Sequence, residues 1–168
     1  MSYQEKRAIV SIGTGALILG LYCFYAFGRF QSGAIAAGDL KSWAVTILIF
    51  IGIGIAAAIA IQIVFHILLS IAIAAKKKIQ DESIEDKEID KAIGAEFVED
   101  EMDKLIELKS MRAGLIIAGI GFIAALVSLA LDYPPAVMLN ILFISFSGSS
   151  LFEGAAQLYY YRRGIRNG

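Results

Sequence analysis

Polar side chains that could do chemistry lie inside the long apolar segments of this chain. Gln62, His66 and Ser70 are four residues apart, so they share one face of a helix. Glu153 and Gln157 repeat that spacing near the C-terminal end, after Ser145 and Ser149. Ionisable groups within membrane segments are candidate functional positions, here for a proton relay. One histidine and one such carboxylate give little support for a metal, so no metal site is expected.

A carboxylate in apolar surroundings needs a counter-charge to stay ionised. Counting inward along the segments places Glu153, His66 and Arg112 at a similar depth, with Lys109 one turn before Arg112. We therefore predict that Glu153 pairs with one of these three, and with Arg112 by preference, because a planar guanidinium suits a carboxylate. The predicted polar cluster comprises Gln62, His66, Lys109, Arg112, Glu153 and Gln157. The alternative is a polar clamp between helices, with Lys109 and Arg112 as interfacial anchors.

Signatures of enzymes are missing from the sequence. It contains no phosphate-binding loop and no HExxH motif, and the glycines of "SIGTGALILG" follow no strand. Cys23 is the only cysteine, which excludes an intrachain disulfide and a CxxC site. The sequence predicts a non-enzymatic protein without a cofactor.

Four segments are apolar enough to cross a bilayer. The chain is 58% hydrophobic, against about 45–50% for soluble domains. The predicted spans are 8–28, 43–70, 113–131 and 135–158, each near the length of about 20 residues that a crossing needs. The second apolar run continues to residue 75, so its helix must tilt or extend beyond the membrane. "DYPP" at 132–135 predicts a tight turn between the last two spans. The fold class is an all-α polytopic membrane protein, with 1–168 as a single membrane domain.

The distribution of Lys and Arg predicts the orientation. Of the 15 basic residues, 13 precede the first span, follow the fourth or lie between the second and third. Positive residues favour the cytoplasmic side, so both termini and the long loop are predicted there, in a multi-pass protein of the cytoplasmic (inner) membrane. Trp43 and Tyr133 are expected at the outer interface. No basic surface indicates a nucleic acid.

Between the second and third spans, residues 76–112 form a charged segment. Of the 16 acidic residues, 11 lie in 81–103. Ser83 is predicted to cap a new helix, in which Ile89, Ile93 and Phe97 make an apolar strip. We expect a cytoplasmic helical hairpin over 76–112. Its acids lack the regular pattern of a calcium loop, which favours a solvated face.

The last part of that segment, "VEDEMDKLIELKSMRAG", predicts an amphipathic helix that leads into the third span. At about 100° per residue, the apolar face carries Val98, Met102, Leu105, Ile106 and Leu108. The opposite face is charged, and Asp100 and Lys104 have the spacing of a helix ion pair.

The same stretch resembles the hallmark of a family of small four-helix prokaryotic membrane proteins known only as a domain of unknown function. The matching residues are Asp100, Glu101, Asp103, Ile106, Lys109 and Arg112. One residue fewer separates Glu101 from Asp103 than in the family pattern, and Met102 stands where a basic residue is usual. The resemblance implies an integral membrane protein of a bacterium or archaeon and supplies no activity.

Two function classes follow. The first is a protein that docks a partner through the hairpin, using the acids Asp100, Glu101 and Asp103 and the strip of Ile89, Ile93 and Phe97. The second is an oligomeric small transporter or channel that uses the polar faces of the second and fourth spans. An accessible path between those faces would favour transport, and an exposed apolar strip would favour docking.

Stripes of small residues predict close helix packing. They comprise Gly13, Ala16 and Gly20 in the first span and Gly114, Ala118, Gly121, Ala125 and Ser128 in the third. Besides the lipid bilayer, we therefore expect a second copy of the chain as a partner, most simply in a homodimer.

Overall fold

The computed structural model describes residues 3–80, 85–98 and 100–164, and these form five α-helices. In chain order they are α1 (Tyr3–Gln31), α2 (Leu40–Gln80), α3 (Asp86–Phe97), α4 (Glu101–Ala130) and α5 (Pro135–Arg163). The predicted cap Ser83 lies outside the described residues. α3 begins after Glu85, which makes no side-chain capping bond.

Four of these helices, α1, α2, α4 and α5, are long and apolar enough to cross a membrane. Three of them contain one predicted span each, and α4 ends one residue before the predicted limit at 131. The chain is therefore a multi-pass membrane protein. The beginnings of α1 and α4 lie beside the later turns of α2 and α5, since Tyr3 contacts His66 and Tyr161 contacts Asp103. We call this the terminal end. The opposite turn end carries the loop 32–39 and the turn 131–134.

A short helix, α3, lies between α2 and α4, where the hairpin was predicted, and the charged segment is divided at other residues than expected. α2 continues well beyond His66, and the ring of Phe97, at the last residue of α3, lies 4.9 Å from the His66 ring. α3 therefore runs back along the last turns of α2. At 1.5 Å per residue the stretch from His66 to Gln80 is about 21 Å long and α3 is about 18 Å long, so the two lengths match. Residues after 100 belong to α4 instead and continue without a break into the third span.

α4 and α5 form an antiparallel pair joined by the predicted proline turn. Asp132 has a φ of 59°, Pro134 precedes the helix and Pro135 is its first residue, where a missing N–H costs nothing. α4 turns its buried small residues toward α5. A Cβ on Gly121 would overlap the Cβ and Oγ of Ser145. The small-residue stripe of the third span therefore packs within the chain.

The small residues of α1 show the opposite behaviour. Gly13, Ala16 and Gly20 are exposed, and a Cβ on either glycine would meet no atom within 4 Å. This face of α1 is left open in a single copy of the protein.

A core at the turn end holds α1, α2 and α5 together. It comprises Tyr22, Ala26, Ile35, Trp43 and Ala136. Trp43 is only 5% exposed and its Nε1 donates to the carbonyl of Ala36 at 3.1 Å, so its ring is inside the protein and not at a lipid interface as expected. Tyr133, by contrast, is exposed.

The acidic run before α4 caps that helix. The Asp100 carboxylate accepts from the N–H of Asp103 at 2.7 Å, and the Asp103 carboxylate accepts from the N–H of Asp100 at 3.1 Å. This reciprocal capping box satisfies N–H groups that a helix start leaves unpaired. Lys104 pairs with Glu101 at 2.9 Å, and not with Asp100 as predicted, because Asp100 is engaged in the cap.

Candidate functional site

Four helices surround a polar cavity of about 180 Å³ at the terminal end. We call it the acidic chamber; its charged and polar lining includes Arg7, Asp103, Glu107, Glu153, Gln157 and Tyr161. Ser11 of α1 and Gln62 of α2 also line it. The chamber thus joins residues that are up to about 150 positions apart in the chain.

Local geometry on α4 and α5 explains how three carboxylates reach one cavity. Asp103 and Glu107 are four residues apart and so lie on the same side of α4. Glu153 comes from α5 opposite Gly114, where an added Cβ would lie 3.3 Å from the Cβ of Glu153. A glycine at this position lets α5 approach closely enough to bring Glu153 beside Glu107.

The charges in the chamber are unevenly balanced. Asp103 accepts a hydrogen bond from the hydroxyl of Tyr161 at 2.9 Å, in addition to its part in the cap. Among the residues that the structure describes, Glu107 and Glu153 form no ion pair and accept no hydrogen bond. Arg7 contributes one positive charge to the lining. Three carboxylates against one guanidinium give the chamber a negative potential.

The carboxylates do not form a ligand set for a metal. Within the described ranges, no group of three His, Cys, Asp or Glu side chains is arranged to hold an ion. The chamber is therefore a site of diffuse negative charge.

Glu153 does not form the predicted ion pair with any of its three expected partners, Arg112, Lys109 and His66, among the described residues. The depth was predicted well, since Glu153 lies beside Gly114. The direction of the two basic side chains around α4 was not predicted correctly. At 100° per residue, Arg112 points about 160° away from Gly114, and Lys109 about 140° away. Of the predicted cluster, the chamber brings together Gln62, Glu153 and Gln157.

His66 belongs to a separate aromatic cluster. Its Nε2 lies 2.8 Å from the Tyr3 hydroxyl oxygen. The Tyr3 ring is stacked on Phe65 at 5.9 Å and meets the edge of Phe97 at 4.9 Å. This cluster connects α1, α2 and α3, so His66 helps to pack α3 against the bundle.

An apolar crevice of about 370 Å³ continues from the chamber between α1, α2 and α5. Ser11 and Gln62 line both cavities, so the two adjoin at these residues. Of the polar face predicted on the second span, Gln62 lines this crevice and His66 and Ser70 do not; Gly54 and Ala58, on the same side of α2, line it as well. On α5 the crevice is lined by Ser147 and Ser150, whereas Ser145 and Ser149 of the predicted polar face are turned toward α4.

Most residues predicted to dock a partner are engaged within the chain. Asp100 and Asp103 form the cap, and Glu101 pairs with Lys104 on the surface. Ile89 is only 5% exposed, Ile93 is half-buried, and Phe97 packs on Tyr3 and His66. The apolar strip of the hairpin is therefore turned toward the protein.

Sequence reasoning missed Arg7, Glu107 and Tyr161 as parts of the site. Arg7 contributed only to the predicted orientation. The spacing of Asp103 and Glu107 was the available signal, because two acids on the charged face of α4 must point in one direction. Only the packing of α4 on α5 reveals that this direction is also that of Glu153.

No protein-family model matches this chain, and comparisons with curated proteins and with solved structures find no match either.

Proposed function

We propose that this protein is a non-enzymatic membrane transporter that binds an organic cation in the acidic chamber. The observation that supports the proposal is that Ser11 and Gln62 line both the chamber and the crevice within the bundle, so the two cavities adjoin there. A cavity that begins among carboxylates and continues between membrane helices is suited to passing a solute inward. A closed polar clamp between helices would have no such continuation.

The chemistry of the lining favours an organic cation over an inorganic ion. Glu107 and Glu153 are available to a positive charge, because neither has a counter-ion among the described side chains. A small inorganic cation would have to replace its water with several oxygen ligands. Beyond Ser11 and Gln62, the described lining of the crevice offers the hydroxyls of Thr14, Ser147 and Ser150 and no carboxylate.

The orientation and the membrane are part of the proposal. The excess of basic residues at the terminal end supports placing both termini and the chamber on the cytoplasmic side of a prokaryotic inner membrane. The stretch from Asp100 to Arg112 supports kinship with the four-helix family of unknown function. The open face of α1 supports a homodimer.

Docking of a partner is the second candidate, supported by a different surface from the one predicted. Met102, in the first turn of α4 and ahead of the third span, is 53% exposed, and Val98, the residue that follows α3, is 71% exposed. Leu105 extends this apolar patch, and Glu101 beside it is exposed. A protein partner could use this patch without disturbing the buried strip of α3.

Uptake into liposomes tests the transport proposal. Purified protein in liposomes should take up radiolabelled tetramethylammonium faster than protein-free liposomes. Glu153→Gln and Glu107→Gln should each lower the rate about tenfold, because each removes one of the negative charges that concentrate the cation in the chamber. Glu101→Gln, which removes an exposed carboxylate on the same helix, is the matched control. Uptake equal to that of empty liposomes would contradict transport.

A further inference from the structure

The crevice has a second opening, on the side of the bundle. A gap of about 580 Å³ lies between α2 and α5 and shares Ile51, Phe143, Ser147 and Ser150 with the crevice. Leu48 and Phe146 at this gap are exposed, so it faces the surroundings of the bundle and not its interior. In a membrane, those surroundings are lipid acyl chains. The acidic chamber, the crevice and this gap therefore adjoin one another in that order, and the gap faces the bilayer.

We infer that the transported cation is a single-chain amphiphile, which enters from the lipid through this gap with its chain in the crevice and its headgroup in the chamber. This inference rests on the proposed function and adds the class of solute and its route. Charge complementarity selects the headgroup, because the chamber carries three carboxylates and one guanidinium. An anionic headgroup would be repelled there.

The crevice selects the other half of the molecule. Its walls are mainly aliphatic, for example Ile18, Ile55 and Leu151, and its polar contacts with the chamber are confined to Ser11 and Gln62. A second charged group would lose its hydration there and gain at most hydroxyl partners, such as those of Ser147 and Ser150. Moving an alkyl chain from lipid to such walls costs no transfer free energy, because the acyl chains of the lipid and the aliphatic side chains are equally apolar.

The dimensions suit a single long chain. On α2 the crevice extends from Phe50 to Gln62, twelve residues apart, which is about 18 Å of helix. An extended dodecyl chain fits that length.

Photoaffinity labelling tests both the solute class and the route. The probe is dodecyltrimethylammonium with a photoreactive diazirine at the end of its chain, added to the protein in nanodiscs. Mass spectrometry of the peptides should find adducts on residues that line the crevice and not the gap, such as Ile18, Leu19 and Phe50. Unlabelled dodecyltrimethylammonium should displace the probe at a concentration at least about tenfold below that of tetramethylammonium, since each further buried methylene strengthens binding. Dodecyl sulfate should not displace it.

Two glycines of α2 provide a matched pair of variants. Gly54 lines the crevice and an added Cβ there would lie 3.9 Å from Ile18, so Gly54→Leu fills the crevice without a clash at the Cβ. Gly52 is exposed with nothing within 4 Å, so Gly52→Leu adds the same side chain outside. Gly54→Leu should lower the crevice adducts at least about tenfold, and Gly52→Leu should leave them unchanged.

Adducts confined to outward-facing residues such as Leu48, or equal displacement by dodecyl sulfate, would overturn the inference. The outcome also separates this inference from the proposed function. If tetramethylammonium is taken up and a longer chain does not improve displacement of the probe, the transport proposal stands and the amphiphile inference is wrong. If crevice adducts form but no uptake occurs, the amphiphile site stands and the transport proposal is wrong.

Discussion

Two tyrosines on α5 show how much a residue's direction matters. The Tyr161 hydroxyl donates to Asp103 across the chamber, whereas Tyr159 is exposed and packs its ring on Tyr160 and Arg163. Tyr161→Phe should lower the free energy of unfolding in detergent by about 1–2 kcal/mol, because it removes a hydrogen bond to a charged group. Tyr159→Phe keeps its ring contacts and should change stability very little. Equal effects of the two substitutions would show that the bond between α5 and α4 contributes nothing.

Glu153 marks the limit of prediction from sequence at this scale. Its depth followed from counting residues along the spans, because a helix rises by a fixed amount per residue. Its partners did not follow, because the rotation of α5 against α4 depends on where the helices come closest. Gly114 and Gly121 set that contact, and they turn Glu153 toward Glu107 and away from Arg112. Which residues line the chamber therefore became known only from the packing of α4 against α5.

At the scale of elements, the contact between α4 and α5 should depend on one glycine. Gly121→Ala places a methyl group where Ser145 already lies, so the helices must separate, at a cost of about 1–3 kcal/mol of unfolding free energy. Gly119→Ala, two residues away on the exposed side of α4, meets nothing within 4 Å and should be neutral or stabilising by up to about 1 kcal/mol. Thermal or denaturant unfolding in the same detergent measures both.

A rescue variant makes this prediction more specific. Adding Ser145→Gly to Gly121→Ala removes the overlapping Cβ and should restore much of the lost stability. If the double variant is no more stable than Gly121→Ala, the loss of stability does not come from the contact with Ser145.

Helices were predictable to different degrees. The four spans and the proline turn followed from long apolar runs and from Pro134 and Pro135, which are strong local signals. The hairpin was placed too late in the chain, because α2 extends to Gln80 and the capping box at Asp100 starts a new helix there. A capping box can be read from sequence, but whether α3 packs on α2 or projects from it depends on the aromatic contacts of Tyr3, His66 and Phe97.

For the whole molecule, the basic residues predict a single orientation. In a Cys23→Ser background, cysteines at Ser32 in the turn-end loop and at Glu88 on α3 are both on exposed positions. An impermeant maleimide should label Ser32→Cys in intact bacterial cells and label Glu88→Cys only after the cells are permeabilised. The reverse pattern would contradict the cytoplasmic placement of the chamber.

The central claim is that the acidic chamber is open to water and attracts cations. The most direct measurement is the reaction of Gln62→Cys, in a Cys23→Ser background in nanodiscs, with a cationic and an anionic methanethiosulfonate of similar size. Relative to a small free thiol in the same buffer, the cationic reagent should be favoured by about tenfold or more, since a cleft lined by one sign of charge concentrates the opposite sign. Glu107→Gln and Glu153→Gln should each reduce that preference. Equal reaction with both reagents, a preference for the anionic one, or no reaction with either would contradict the account.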